Sequence, residues 1–586
     1  MNTPPAGEAL SGLQLRLREH LEVIYPGADY GHLSERMLNV MGLAADTPSP
    51  QSHRNLWDEA DNILITYGDS VMDGNETPLR TLHRFLTTFL KDTIRGVHIL
   101  PFFPYSSDDG FSVMDYSVVN PALGDWEDVT AISRDFHLMS DLVLNHASAR
   151  SRWFDNYKKR KDPGKDFFVE VDPSVDLSAV VRPRNSPLLS TVDTEEGTRH
   201  VWCTFSEDQV DLNFANPEVL LEFAGIIRQY LESGVRIFRL DAVAFLWKEV
   251  GTSCVHLPET HEIIKLYRTL IEHHTPDAIV ITETNVPNRE NLTYFGNANQ
   301  AHVIYNFSLP PLLVHTLLDG DCRHLKTWMM SMPPAQAGTA YLNFIASHDG
   351  IGLRPLDGLL ETSEIDRMLE CLRGHGGMVT MRRAREGYDK PYEINISLFD
   401  ALRGTIEGGA DAFQVERFIC AHAIMLGLEG IPAFYIHSLV GTENDYQRVE
   451  NTGRARTINR HIWHDTELQA ALEDEQRHHK VVFDTLTRLI NLRSLQPAFH
   501  PNATQFTMHL GTKIFAFWRQ SMDRRQSIFC IHNITTERQT VKLTDINLTG
   551  TDEWKDLIDG QMFEDVKGEL VLEPYRSVWL TNRFDY

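Results

Sequence analysis

The chain has 586 residues, 42% of them apolar and 23% charged, with a formal net charge of −26. That length exceeds one ordinary domain, and the composition is that of a globular protein with a large core rather than of a disordered chain. The acidity argues against nucleic acid or an anionic membrane surface as a partner. Six cysteines (Cys203, Cys254, Cys322, Cys371, Cys420, Cys530) lie far apart without a CxxC pair, so reduced buried thiols are expected rather than a zinc site or a disulfide framework. Met1-Asn2-Thr3-Pro4-Pro5 lacks a basic or apolar leader segment, and no run of about 18 apolar residues occurs. No signal peptide and no membrane span are therefore expected, and a cytoplasmic location follows.

In chain order, residues 8–24 carry leucines at helical spacing up to Pro26-Gly27, and 31–43 read as a second helix before the linker Thr47-Pro48-Ser49-Pro50. Residues 1–56 thus form a helical N-terminal extension, expected to pack on the main domain or a sister subunit. Eight short apolar runs follow: Ile63–Thr66, Val97–Phe102, Leu138–Leu144, Val235–Leu240, Ile279–Thr282, Val303–Phe307, Leu342–Ala346 and Pro432–Ile436. Amphipathic stretches such as 217–231, 261–273 and 415–426 separate most of them. Eight such alternations predict an α/β fold, a (β/α)8 TIM barrel made of residues 57–146, 208–349 and 411–500, with its site at the C-terminal strand ends. Residues 147–207 and 350–410 are too long for simple crossovers and read as inserted subdomains after strands three and seven. Residues 501–586 change to short strands and predict a C-terminal all-β domain, a β-sandwich.

The strand ends carry the chemistry. Strand three ends in Asn145-His146, strand four in Arg239-Leu240-Asp241, strand five in Glu283-Thr284-Asn285, and strand seven in Ser347-His348-Asp349. One such end is unremarkable as a solvated terminus; four on one barrel face imply a site. Asp241, Glu283 and Asp349 then converge, and two carboxylates with separated pKa values are what glycosyl transfer with retention requires. Arg239, on the same strand face as Asp241, favours an ionised nucleophile there. Glu283 follows the apolar Ile279-Val280-Ile281 without an adjacent cation, which suits a proton donor. His146 and His348 can hydrogen-bond sugar hydroxyls.

These four segments resemble the signature regions of the α-amylase family (glycoside hydrolase family 13), and Gln209-Val210-Asp211-Leu212-Asn213 resembles a fifth. The resemblance implies Asp241 as nucleophile, Glu283 as acid/base, Asp349 as the carboxylate that fixes sugar hydroxyls, and Arg239, His146 and His348 around glucose. Asp108-Asp109-Gly110-Phe111, Lys248-Glu249-Val250-Gly251, Ser347-His348-Asp349-Gly350-Ile351-Gly352 and Arg456-Thr457-Ile458-Asn459-Arg460 resemble the sucrose phosphorylase subfamily. From that pattern Asp108, Gln209 and Arg456 join the glucose subsite, and Arg184, the second arginine of Arg182-Pro183-Arg184, is implied in holding phosphate.

The chain departs from sucrose phosphorylases at Phe245, Asn285 and the acceptor loop Lys390-Pro391-Tyr392-Glu393, which disfavours a fructosyl acceptor. Lys390, with Arg382, Arg383 and Arg385 nearby, suggests an anionic one. The loop Pro391–Asn395, the N-terminal extension and the overall length resemble the glucosylglycerate phosphorylases of this subfamily. The expected activity is therefore phosphorolysis of an α-glucoside such as glucosylglycerate. The rivals are sucrose, sucrose 6-phosphate or glucosylglycerol phosphorylases, a hydrolase, and remotely a non-catalytic sugar-binding chain. The expected partners are a small sugar substrate and inorganic phosphate, with no cofactor. Many α-amylases bind calcium through an asparagine at the position of Asn145; the remaining ligands are not recognisable here, and no metal is expected. Subfamily relatives are often dimers, so the resemblance allows a homodimer, although no stretch marks an interface.

Overall fold

The computed structural model describes residues 12–383, 389–546, 548–550 and 552–583, with backbone alone at 382 and 383. Arg385 and the side chains of Arg382 and Arg383 lie outside the described residues, as do residues 8–11 of the first expected helix.

Strands Ile63–Thr66 (β1), Gly96–Ile99 (β2), His137–Val143 (β3), Val235–Asp241 (β4), Ile279–Thr282 (β5), Val303–Tyr305 (β6), Ala340–Phe344 (β7) and Ile431–Tyr435 (β8) close into one parallel barrel. Each pairs with its sequence neighbour, and Ile63↔Ala433 joins β1 to β8. Every residue of β1, β2 and β7 is buried, as parallel strands covered on both faces require. The second strand stops before Pro101, which has no N–H to offer a ladder. Two charged residues interrupt the apolar pattern mid-barrel: Asp141 on β3 stands in register with Arg239 on β4.

Both long intervals carry structure at the mouth. After β3, Leu189–Thr194 and Gly197–Trp202 form a hairpin, and His146–Ser148 pairs with Gln209–Asp211. After β7, Ile351–Gly352, Asp389–Asn395 and Met378–Arg383 form a three-stranded antiparallel sheet. The N-terminal helices Gly12–Ile24 (α1) and Tyr30–Met41 (α2) lie on two barrel helices, Pro217–Glu232 (α3) and Pro258–His274 (α4). Leu13, Leu17, Leu21 and Ile24 form the buried stripe of α1. Arg36 donates twice to Glu218 at 2.7 Å, Tyr25 Oη donates to Phe214 O at 2.8 Å, and His20 Nδ1 lies 2.6 Å from Glu262 Oε1.

At the other end a six-stranded sheet, with Ser527–Asn533 and Ser577–Thr581 central, packs on the barrel helix Gln414–Gly427 (α5). A Cβ on Gly427 would lie 2.9 Å from the Phe517 ring, so the contact needs glycine. Two buried guanidiniums cap the C-terminus of α5, where helix carbonyls lack partners. Arg493 donates to Leu426 O (3.0 Å), Phe499 O (3.1 Å), Gly430 O (3.3 Å) and Glu59 O, and Arg519 to Gly427 O (2.7 Å) and His500 O (2.8 Å). Burial pulls Arg493 down to about 9 and Arg519 down to about 10, values that leave both charged at neutral pH. Removing one strands several buried carbonyls, at about 1–3 kcal/mol each. Arg493→Ala is expected to lower the midpoint of thermal unfolding by several degrees; a melting curve superimposable on that of the unaltered protein would contradict this cap.

Candidate active site

The floor of the barrel mouth is a buried chain of charges. His98 Nε2 lies 2.7 Å from Asp141 Oδ2, and Arg239 Nη1 donates to Asp141 Oδ1 (2.5 Å) and to Asp241 Oδ1 (2.6 Å). All four side chains are buried. Alternation on β4 directs Arg239 and Asp241 the same way, and the β3 register brings Asp141 to the other side of the guanidinium. Burial pushes the Asp141 carboxyl up, but His98 and Arg239 outweigh it and hold the group below the ordinary aspartate value. Arg239 also lies under the rings of Phe111 and Tyr305, each 5.6 Å from its Cζ.

Two carboxylates share this cation unequally. Burial raises Asp241 above the ordinary aspartate value, opposed mainly by Arg239. Burial likewise raises Glu283, to about 7, with Arg239 opposing and the Asp241 and Asp349 charges adding to the rise. Glu283 Oε1 is 3.9 Å from Arg239 Nη2, against 2.6 Å for Asp241 Oδ1. At an effective dielectric of about 20 that difference is worth about 2 kcal/mol, more than one pKa unit. A single proton on the pair therefore resides on Glu283. Its second oxygen accepts from Ala242 N at 3.0 Å, and Ala242 reaches that position in the left-handed region (φ 49°) immediately after Asp241.

The third carboxylate comes from the segment after β7. Arg456 Nη1 donates to Asp349 Oδ1 at 2.7 Å. Burial alone would raise Asp349, but His348 and three arginines hold it well below the usual range. His348 stacks on Phe111 (centroids 5.1 Å apart, planes at 8°), and burial lowers it to about 3, so it is a neutral hydrogen-bonding group. Its Nδ1 is buried without a protein partner. Beside Phe111, Gln209 Nε2 donates to Asp108 Oδ2 (3.0 Å) and lies 3.2 Å from His146 Nε2, which is 2.8 Å from Phe111 O. Asp108 and Asp109 both have positive φ, 54° and 47°. Strain of that kind persists only where surrounding contacts fix it. Here Arg454 and Arg460 bind the Asp109 carboxylate, and Ser106 (2.5 Å), Ser107 and Ser112 (3.0 Å) all donate to Asp208, just after the inserted segment.

Asp241, Glu283, Asp349, Asp108, His146, Gln209, Arg239, His348, Arg456, Arg184, Phe245, Asn285, Tyr392 and Glu393 all line one cavity. Lys390 does not: it is exposed on the strand Asp389–Asn395. Glu393, expected at the acceptor, is buried and accepts from Arg456 Nε (2.9 Å) and Nη2 (2.8 Å), so it orients Arg456. Tyr392 presents its ring to Arg184, whose Cζ lies 5.5 Å from the centroid.

Asn145 has the wrong company for calcium. Lys248 Nζ donates to Asn145 Oδ1 (2.6 Å) and Phe245 O (2.6 Å) and lies 2.7 Å from Asp211 Oδ2. An ammonium already occupies the centre of that oxygen cluster, so the donor set does not fit a second cation. Among the described residues no group of three or more His, Cys, Asp or Glu side chains could hold a metal ion. Sequence reasoning did not single out Asp141, His98, Asp208, Lys248 as a tether, or Arg354, which also lines the cavity. For Asp141 a signal existed, a carboxylate inside the apolar run Leu138–Val143.

A closed β/α barrel with Asp241, Glu283, Asp349, Arg239, His146 and His348 converging at its mouth defines a carbohydrate-active enzyme of the amylase class. The family model described as alpha amylase, catalytic domain matches residues 88–350. The chain is 42% identical to a glucosylglycerate phosphorylase of Spirochaeta thermophila (96% of this chain, 95% of the relative) and 40% identical to one of Escherichia coli (97% and 100%). Its fold matches the crystal structure of sucrose 6F-phosphate phosphorylase from Thermoanaerobacter thermosaccharolyticum with a TM-score of 0.71 at 25% identity, over 88% of this chain and 98% of that one. The chain belongs to the α-amylase family, glycoside hydrolase family 13, in the branch that contains these phosphorylases. No helix among the described residues is long and apolar enough to cross a membrane.

The proton on Glu283 sets a pH dependence. Its raised pKa keeps it protonated below about 7 and strips it above, so kcat/KM for an α-glucosyl substrate is expected to fall as the pH rises through about 7. A profile flat from about pH 6 to about pH 8 would contradict the assignment.

Proposed function

We propose that this protein is a retaining glycoside phosphorylase that moves glucose reversibly between 2-O-α-D-glucosylglycerate and inorganic phosphate. The observation that carries the reading is identity of about two residues in five, over nearly the whole length, to proteins named glucosylglycerate phosphorylase. The cavity supports it with both carboxylates needed for retention and with Arg184, a guanidinium suited to a phosphate.

In the first step the Asp241 carboxylate attacks the anomeric carbon, and the bond to the glycerate oxygen breaks. Glu283 gives its proton to that oxygen, and a β-glucosyl ester of Asp241 remains. In the second step a phosphate oxygen attacks the same carbon from the face glycerate vacated, while Glu283, now ionised, takes the phosphate proton. The ester bond breaks, Asp241 is restored, and α-D-glucose 1-phosphate leaves. Asp349 and His348 hold sugar hydroxyls, and Arg456, fixed by Glu393, holds Asp349. Asp108, His146 and Gln209 complete the glucose subsite. The ester must outlast contact with water, so the inserted segments that carry Arg184 and Tyr392 serve as its cover.

The test is phosphate release from glucose 1-phosphate with D-glycerate, fructose, glycerol or fructose 6-phosphate as acceptor. D-glycerate is expected to give the highest kcat/KM, and a higher value with fructose would contradict the reading.

A further inference from the structure

The N-terminal extension takes no part in the proposed transfer, yet one of its residues reaches the barrel mouth. Tyr25, which follows α1, is buried against two segments there. Its ring packs on Trp247, with centroids 6.3 Å apart and planes at 51°, inside the range of favourable aromatic pairs. Its hydroxyl donates to Phe214 O at 2.8 Å. Resting on the proposed transfer of glucose, we propose that Tyr25 is a positioning residue. It clamps together, from the side of the extension, the segments that hold Gln209 and Phe245 in the cavity lining.

The same two segments are joined once already. Lys248, next to Trp247, lies 2.7 Å from Asp211 Oδ2 and donates to Phe245 O at 2.6 Å. Asp211 ends the strand Gln209–Asp211, and Phe214 follows on the same segment. Lys248 and Tyr25 are therefore two ties between one pair of segments. Two ties fix spacing and tilt together, where one would leave a pivot. Helix α4 supplies a common base for the second tie. His20 of α1 places Nδ1 2.6 Å from Glu262 Oε1 and Nε2 3.2 Å from Thr269 Oγ1, and Trp247 N donates to Thr260 Oγ1 at 3.2 Å. Glu262, Thr269 and Thr260 all belong to α4, so the helix that seats α1 also seats Trp247. At the far end of its strand, Gln209 donates to Asp108 and lies beside His146, so a shift of the strand carries it out of the glucose subsite. Misplacing such groups by about 1 Å can cost about a hundredfold in rate, even from a substitution far from the chemistry.

The experiment measures kcat/KM for α-D-glucosyl fluoride with phosphate present, in the unaltered protein, Tyr25→Phe, Tyr25→Ala and Leu13→Ala, at a temperature where melting curves show each of them folded. Fluoride leaves as Asp241 attacks and phosphate then resolves the ester, so a wrong choice of glycerate as acceptor leaves this readout standing. Tyr25→Ala is expected to lower kcat/KM by about tenfold or more. Tyr25→Phe is expected to fall between, because it keeps the ring and loses the hydrogen bond. Leu13, buried at the other end of α1, touches neither clamped segment; Leu13→Ala is expected to lower the melting midpoint and leave kcat/KM unchanged. A value for Tyr25→Ala equal to that of the unaltered protein overturns the proposal. So does an equal loss in Leu13→Ala, which would make the extension a general support of the fold. Should Tyr25→Ala fail to fold, Tyr25→Phe decides, and an unchanged kcat/KM overturns the proposal. An unaltered protein that releases no fluoride overturns the transfer proposed above, and this role with it, before any variant is measured.

Discussion

Arg239 sits buried between Asp141 and Asp241, and the rest of the barrel mouth is arranged around the charge it brings. A buried guanidinium is costly on its own, and so is each buried carboxylate; together they are tolerable only while every partner stays in place. Removing Arg239 would leave Asp141, Asp241 and Glu283 facing one another uncompensated, at a cost of about 3–5 kcal/mol. That dependence explains why Phe111 and Tyr305 close over the guanidinium and why His98 supports Asp141 from behind. The arrangement is electrostatic preorganisation: the charges are set before substrate arrives.

From that centre the two buried carboxylates differ because they stand at different distances from the cation, with the Asp349 charge raising Glu283 further. Asp241 touches the cation and is the anion; Glu283 stands farther off and keeps the proton. The backbone turn at Ala242 strengthens the coupling, because its N–H holds the Glu283 side chain beside Asp241. Farther out, ion pairs position rather than react. Glu393 fixes Arg456, Arg456 fixes Asp349, and Arg454 and Arg460 hold the strained Asp108-Asp109 turn through Asp109. Lys248 ties together Asn145 and Asp211, which flank the insertion, and the segment after β4, through one side-chain ammonium.

Much of this was legible in one sequence because barrel strands advertise themselves. Ile63–Thr66 and Ile279–Thr282 are apolar up to a final threonine and flanked by breaks, and both were read with their observed bounds. The polar strand ends named the carboxylates, since few other reasons place Asp241, Glu283 and Asp349 on one face. What escaped was pairing across the fold. Asp141 meets Arg239 through an interstrand register between residues 98 apart, and Glu393 meets Arg456 across 63. Neither separation leaves a periodic trace. The acceptor cation was read from local charge density around Lys390, but the strand pair there shifts register between Thr380 and Met381, and alternation alone does not say which side faces the cavity.

The claim on which the account rests is that Asp241 is the anion that captures the sugar while Glu283 keeps the proton. It is tested most directly by incubating the protein with 5-fluoro-α-D-glucosyl fluoride, which forms a slowly resolved ester, and mapping the modified peptide by mass spectrometry. The account predicts one fluoroglucosyl group per chain, on Asp241. A label on Glu283 or Asp349, or a protein that turns the reagent over without ever carrying the label, would contradict it.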